Sequence, residues 1–146
     1  MIIEPFHPLC DRHAAYVQKM PNQICADTRG FVAVDKNLKV EGAVIFDNFL
    51  PNSAQAAIQV TNPLCLRYNG LLTEACYYFY DIAARQIMYA LVRESNEEAL
   101  QLDYKIGFKH EHFLPQAFED DEGVHILSMR KEDCKYYNPE LNRRAA

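Results

Sequence analysis

The sequence predicts a single α/β domain built on one mixed sheet of about seven strands with helices on both faces. Three observations carry that expectation. Short β-branched and apolar runs alternate with helical stretches along the chain. The clearest amphipathic stretch, Leu71 to Gln86, passes directly into another apolar run, Ile87 to Val92. Finally, 146 residues with 49% hydrophobic and 24% charged side chains match one globular core.

In order, residues 2–5 read as a short strand ended by Pro5 and Pro8. Asp11 is placed to cap a helix over 12–20, which Pro21 stops. Phe31 to Asp35 is β-rich, Lys36 to Lys39 is a polar turn, and Val40 to Leu50 contains the continuous apolar block Ala43-Val44-Ile45-Phe46. That pair reads as a hairpin whose second strand is covered on both faces. After the loop Pro51-Asn52-Ser53, Ala56 to Thr61 is a further strand, ended by Asn62-Pro63. In the stretch 71–86, Leu72, Ala75, Cys76, Phe79, Ile82 and Ala83 line one face of a 3.6-residue period. Ser95 and Glu98 fit a capping box that starts a helix bearing Ala99, Leu102 and Ile106, and Gly107 stands where a left-handed terminator is needed. Phe108 to Phe113 and Val124 to Met129 are the last strands, joined through the acidic turn 119–123. One domain is expected over 1–146, with a polar tail over 138–146.

Composition excludes several function classes. Fifteen Lys and Arg against 20 Asp and Glu give a net charge of −5, mixed along the chain, which opposes electrostatic wrapping of nucleic acid. No run approaches the length of a membrane span, and Met1-Ile2-Ile3-Glu4-Pro5 lacks the basic start of a secretory signal, so neither membrane nor export is expected. Cys10, Cys25, Cys65, Cys76 and Cys134 are odd in number and scattered without a CxxC pair. A disulfide scaffold or an all-cysteine zinc site is therefore not expected, and the cytoplasm is the expected compartment.

The segment Arg67-Tyr68-Asn69-Gly70-Leu71-Leu72 lies between a strand and the best helix. A loop entering a helix presents unpaired N–H groups at the positive end of the helix dipole, and such an end takes phosphate. Gly70 permits close backbone approach, and Arg67 adds a charge-assisted contact. Taken alone, the same residues also describe an ordinary turn with a solvated arginine.

The segment 92–108 is more specific. Its pattern V-x-x-x-N-x-x-A-x-x-L-x-x-K-x-G-F, carried by Val92, Asn96, Ala99, Leu102, Lys105, Gly107 and Phe108, resembles the strand–helix–strand motif of the Gcn5-related N-acetyltransferase superfamily. The upstream order of elements is that family's too, so the resemblance spans roughly residues 31–133. It implies an acyl-CoA N-acyltransferase-like fold with a mostly antiparallel sheet, and acetyl-coenzyme A as co-substrate in a cleft between the strands at Ala56–Thr61 and Ile87–Val92. The pantetheine arm would pair with Ile58, Gln59, Val60 and Thr61. The pyrophosphate would sit on the (Q/R)-x-x-G-x-(G/A) loop, here Arg67, Asn69, Gly70, Leu71, Leu72 and Thr73. Asn96 would touch the cofactor or hold the strand-to-helix turn, the turn being favoured because asparagine is a common capping residue.

Two positions depart from the family pattern. Leu72 replaces a small residue, and Asp103 stands where many members place the tyrosine that protonates the departing thiolate, with Tyr104 one residue later. One residue is a 100° rotation on a helix, so Tyr104 is a candidate acid but no automatic substitute. The implied reaction is direct attack of a primary amine on the thioester. Glu41 and Asp47, near the two ends of one strand, are candidate bases for the ammonium.

His110 and His112 are expected on one strand face, and with Cys10 and His13 they lack standard zinc spacings, so no metal is expected. Cys76 reads as core, while Tyr77, Tyr78 and Tyr80 exceed what one buried stripe holds and suggest an acceptor groove or partner surface. The acceptor is expected to be a small-molecule or protein amine, and the last strands offer an edge for a homodimer. The stretch Phe79 to Tyr137 also resembles, more loosely, small acetyltransferase-like proteins of tailed bacteriophages. The alternative to an enzyme is therefore a non-catalytic interaction or virion-associated protein of the same fold. A coenzyme A sensor is a third reading.

Overall fold

A computed structural model describes residues 1–20 and 24–140. Pro21, and residues 141–146 of the expected tail, lie outside the described residues. The elements run β1 (Ile2–Pro5), α1 (Asp11–Val17), β2 (Arg29–Val34), β3 (Val40–Asp47), β4 (Ser53–Val60), a 3-10 turn (Pro63–Leu66), α2 (Leu71–Tyr77), a π turn (Tyr78–Ile82), β5 (Ile87–Arg93), α3 (Glu97–Ile106), β6 (Lys109–Leu114), β7 (Val124–Arg130) and a last 3-10 turn (Lys131–Asp133). The seven strands form one sheet in the order β1-β2-β3-β4-β5-β7-β6. Every neighbouring pair is antiparallel except β4 and β5. This is the mixed, mostly antiparallel sheet that was expected.

Alternation along the strands divides the core into two layers. Val44 and Phe46 of β3, Ala54 and Ala56 of β4, and Met88, Ala90 and Val92 of β5 face α2 and α3. On the other side Ala43 and Ile45 of β3, with Val32 and Val34 of β2, pack beneath α1 through Val17 and Met20. The apolar block 43–46 is therefore buried on both faces, as its continuity implied.

Several boundaries differ from those read in the sequence. In α1 Asp11 is the first helical residue rather than the cap, which falls to Cys10 with no side-chain bond. The strand expected at 56–61 starts three residues earlier, at Ser53, because the turn before it is tight: the Leu50 N–H donates to the Ser53 carbonyl at 2.8 Å. The long helix expected over 71–86 is regular only to Tyr77 and then widens into the π turn, where the Ala83 N–H reaches the Tyr78 carbonyl at 2.7 Å. The capping box also fails. Asn96, not Ser95, caps α3, its Oδ1 accepting from the Ala99 N–H at 3.2 Å, and the Ser95 N–H instead donates to Glu122.

Gly107 closes α3 as expected. Its φ is +132°, and a Cβ there would stand 2.1 Å from the Asp133 carbonyl oxygen. Of the three clustered tyrosines, Tyr78 and Tyr80 pack into the core, while Tyr77 is only partly buried. Tyr78 meets Phe31 edge-on and lies tilted against Phe46, and the buried Tyr80 donates to the Met129 carbonyl at 2.8 Å. No helix among the described residues is long and apolar enough to cross a membrane.

Candidate functional site

Strands β4 and β5 pair over three positions only: Ser53 with Ile87, Ala54 with Met88 and Gln55 with Tyr89. Beyond that point β4 continues along β3 to Val60, and β5 continues along β7 to Arg93. Parallel neighbours that stop pairing while each keeps its outer partner leave a wedge between them. Five residues of β4 and four of β5 line it, roughly 13–17 Å of strand.

The register says which backbone groups face this wedge. The Thr61 N–H donates to the Glu41 carbonyl at 2.8 Å, so Thr61, and with it Gln59, directs its backbone groups at β3. At the other edge the Asn52 carbonyl accepts from the Gln86 and Ile87 N–H groups at 2.9 and 3.0 Å, which sets the even positions toward β5. By that alternation Ile58 and Val60 present their backbone groups to the wedge. Of the four residues expected to pair with a pantetheine arm, two point there and two are committed to the sheet.

The chain then turns over the open end. The Thr61 and Asn62 N–H groups both bond the Glu41 carbonyl, and Asn62 Oδ1 accepts from Leu64 N at 3.0 Å to start the 3-10 turn. Arg67, Tyr68 and Asn69 are exposed in the loop that follows. Asn69 takes a left-handed φ of 62°, and its N–H donates to Thr73 Oγ1 at 3.0 Å, while the Gly70 N–H donates to the Arg67 carbonyl at 3.2 Å. Two of the loop amides are thus bonded internally. Among the described residues the N–H groups opening α2, those of Leu71, Leu72 and Thr73, find no backbone acceptor. A Cβ at Gly70 would lie 3.0 Å from the Arg67 carbonyl oxygen. Leu72, 1% exposed, turns its side chain into the core, so it does not crowd the loop. Asn138, which no motif or spacing singles out, holds the loop from outside through Nδ2 to Asn69 Oδ1 at 2.7 Å.

On the flank of the wedge, α3 must run back beside β5, because β5 and β6 point the same way and α3 joins the end of one to the start of the other. Its buried residues are Leu100, Asp103 and Ile106, of which Leu100 and Ile106 belong to the core cluster that also holds Ala56 of β4 and Ala90 and Val92 of β5. Asp103 lies six residues into the helix, about 9 Å down its axis, level with Ala90 about 10 Å back along β5. That is the first position past the paired stretch. Asp103 is 5% exposed, and among the described residues no side chain donates to its carboxyl. Burial pushes its pKa up to about 7. Tyr104, one residue round the helix, is half-buried against the same core.

The two candidate bases separate. Glu41 sits at the open end beside Lys39 Nζ (3.9 Å), with its carbonyl holding the turn. Asp47 is buried at the opposite end of β3, where it is paired with Gln55, which in turn pairs with Tyr89 of β5. Tyr89 is held above the ordinary tyrosine range by burial first and by the charge of Asp47 second, which places carboxylate and phenol near one another where the wedge closes.

The histidines form no metal centre. A bulge between His110 and His112 breaks their expected common face, and His110 instead meets His125 edge-on with 3.0 Å between Nε2 and Nδ1. His13 bonds Glu4 at 2.9 Å on the far edge. Among the described residues no group of three or more His, Cys, Asp or Glu is placed to hold a metal ion. A cleft of about 460 Å³ lined by Asp27, Arg29, Phe49, Tyr78 and Arg85 lies elsewhere, and both of its arginines are already bound to backbone carbonyls.

No family model and no curated protein matches the sequence. Solved structures do match the fold. Mutant forms of the spermidine/spermine N-acetyltransferase SpeG from Vibrio cholerae superpose with a TM-score of 0.61 at 24% identity, over 82% of this chain and 70% of theirs. The same organism's spermidine N-acetyltransferase in complex with CoA and spermine gives 0.59 at 22% identity, over 74% and 68%. A phosphinothricin N-acetyltransferase gives 0.53 at 20% identity, over 73% of each chain. The chain has the Gcn5-related N-acetyltransferase fold. In that fold the wedge between β4 and β5 and the loop ahead of α2 are the features that the sequence motif implied for an acyl-coenzyme A site.

Proposed function

We propose that the protein transfers an acetyl group from acetyl-coenzyme A to a primary aliphatic amine of a small molecule. The observation that carries this reading is the parting of β4 and β5 after three paired residues, directly below the Arg67–Gly70 loop. The pantetheine arm would bond the Ile58 and Val60 backbone groups as an added strand. Arg67 and the first-turn amides of α2 would take the diphosphate. The free amine attacks the thioester carbonyl carbon, and a backbone N–H of β4 meets the developing oxyanion. As the C–S bond breaks, the leaving thiolate takes a proton. Asp103, protonated in part near neutral pH and level with the point where β4 and β5 part, is the donor we assign, in preference to Tyr104 a hundred degrees round the helix. Asp47, beside Tyr89 where the wedge closes, is the carboxylate that would hold the ammonium and take its proton. A polyamine such as the spermine bound by the structural relative is the type of cation such a carboxylate suits.

Thiol release from acetyl-coenzyme A in the presence of a panel of aliphatic amines and polyamines tests the reading. Amine-dependent release is expected, reduced at least tenfold by Asp103→Asn with cofactor affinity retained. Cofactor binding with no release for any amine would leave a sensor. The internal bonds of the Asn69 and Gly70 amides favour a second reading, a scaffold of this fold that binds no cofactor. Absence of binding at millimolar acetyl-coenzyme A would select it.

A further inference from the structure

The core holds two thiols that the proposed chemistry does not use. Cys76 lies on the buried face of α2, and Cys134 begins the segment that leaves the last 3-10 turn. The residues are 58 positions apart, yet their sulfurs lie 2.9 Å from each other in the core. A disulfide bond of about 2.0 Å is then reached by moving the sulfurs together by roughly 0.9 Å, without repacking the chain. The other three cysteines have no such partner among the described residues.

The segment that carries Cys134 is a strap across α2 and the π turn. The Tyr137 hydroxyl donates to Asp81 at 2.7 Å, its ring meets that of Tyr80 edge-on, and Asn138 reaches Asn69 in the loop. A covalent link at Cys134 would therefore fasten this strap at its root.

We propose that Cys76 and Cys134 are a redox pair, oxidised by hydrogen peroxide to a disulfide that pins the C-terminal strap to α2 and returned to two thiols by a dithiol reductant, which is itself oxidised to its disulfide. Cys134 is the attacking sulfur. The contact with the Cys76 sulfur and the Tyr136 and Tyr137 backbone N–H groups draw its pKa down, while that contact and burial push the Cys76 pKa up. Cys134 is also the more accessible of the two, at 8% against 2% exposure. Its thiolate attacks one peroxide oxygen, the O–O bond breaks and hydroxide departs, leaving a sulfenic acid. The Cys76 sulfur then attacks the Cys134 sulfur, the S–O bond breaks, and the oxygen leaves as water with the Cys76 proton. The hydroxide recovers the proton that Cys134 had lost. Two thiols and one peroxide thus give one disulfide and two waters.

The test uses the full, reduced chain. It is treated with hydrogen peroxide, free thiols are blocked with iodoacetamide in denaturant, and the digest is mapped by mass spectrometry without reductant. A peptide pair linked through Cys76 and Cys134 is expected to dominate and to disappear with dithiothreitol, and the oxidised chain should melt roughly 5 °C or more above the reduced one. In Cys76→Ser, dimedone should trap a sulfenic acid at Cys134. The proposal is overturned if both thiols remain alkylatable after exposed Cys25 has been oxidised, or if the link forms only when oxidation is carried out in denaturant. It stands or falls independently of acetyl transfer.

Discussion

A buried carboxyl with no side-chain donor among the described residues makes stability depend on pH in the reverse of the usual acidic sense. In the unfolded chain Asp103 titrates near the ordinary aspartate value of about 4, and in the fold near 7. Below both values the two states hold the proton equally. Between them the native state keeps a proton that the unfolded chain has lost, so stability falls as pH rises through that window and the loss is complete above pH 7. Three units correspond to roughly 4 kcal/mol. Asp103→Asn should therefore gain on the parent by up to about that amount between pH 4 and pH 8, read from urea midpoints at several pH values. Parallel curves for the two proteins would mean that Asp103 is solvated in the fold. Gly107 makes a second prediction at this scale. With its Cβ position 2.1 Å from a carbonyl oxygen and a left-handed φ, Gly107→Ala should cost about 2 kcal/mol or more in the same measurement. The glycine was legible in the sequence because a helix end requires it. The burial of Asp103 was not, since carboxylates are ordinarily exposed and the face that the sequence marks, Ala99, Leu102 and Ile106, is rotated from the buried one, Leu100, Asp103 and Ile106.

Elements explain where the sequence reading drifted. Ser95 with Glu98 and Asn96 with Ala99 are overlapping cap patterns one residue apart, and both side chains are good caps. The choice was made by Glu122, which takes the Ser95 N–H from a distant turn that no local pattern can see. Asn96→Ala is expected to cost about 1 kcal/mol in thermal or urea unfolding, and Ser95→Ala a few tenths at most. The π turn was hidden because a 3.6-residue template keeps finding apolar positions at Ile82 and Ala83, although Ile82 is in fact exposed. The bulge at His110–His112 likewise leaves no glycine or proline to mark it. The loop ahead of α2 was placed correctly, since Gly70 punctuates it. If the loop takes a diphosphate, Arg67→Ala and Gly70→Asp should each weaken acetyl-coenzyme A at least tenfold in titration calorimetry, with Lys131→Ala near parent. Equal effects of all three would move the anion site elsewhere.

At the scale of the whole molecule the fold was legible because one short motif, Val92 to Phe108, fixes a strand, a helix and the start of a further strand, and the upstream alternation supplies the rest. What the chain's order could not show is how far β4 and β5 stay together, because pairing length depends on their outer partners, β3 and β7, which hold each strand to its own course. Nor could it show which amides face the wedge, a matter of register set by the Glu41 carbonyl and by Asn52. The acceptor side is less legible still. The assignment proposed for it rests on Asp47 and Tyr89, which are more than 40 positions apart in the sequence and come near one another only across three strands. Titration calorimetry of the unmodified chain with acetyl-coenzyme A tests the central claim most directly. Saturable binding of one cofactor per chain, abolished or weakened at least tenfold by Gly70→Asp, is the predicted result. No heat at millimolar cofactor, from a chain that is folded by circular dichroism, would contradict it.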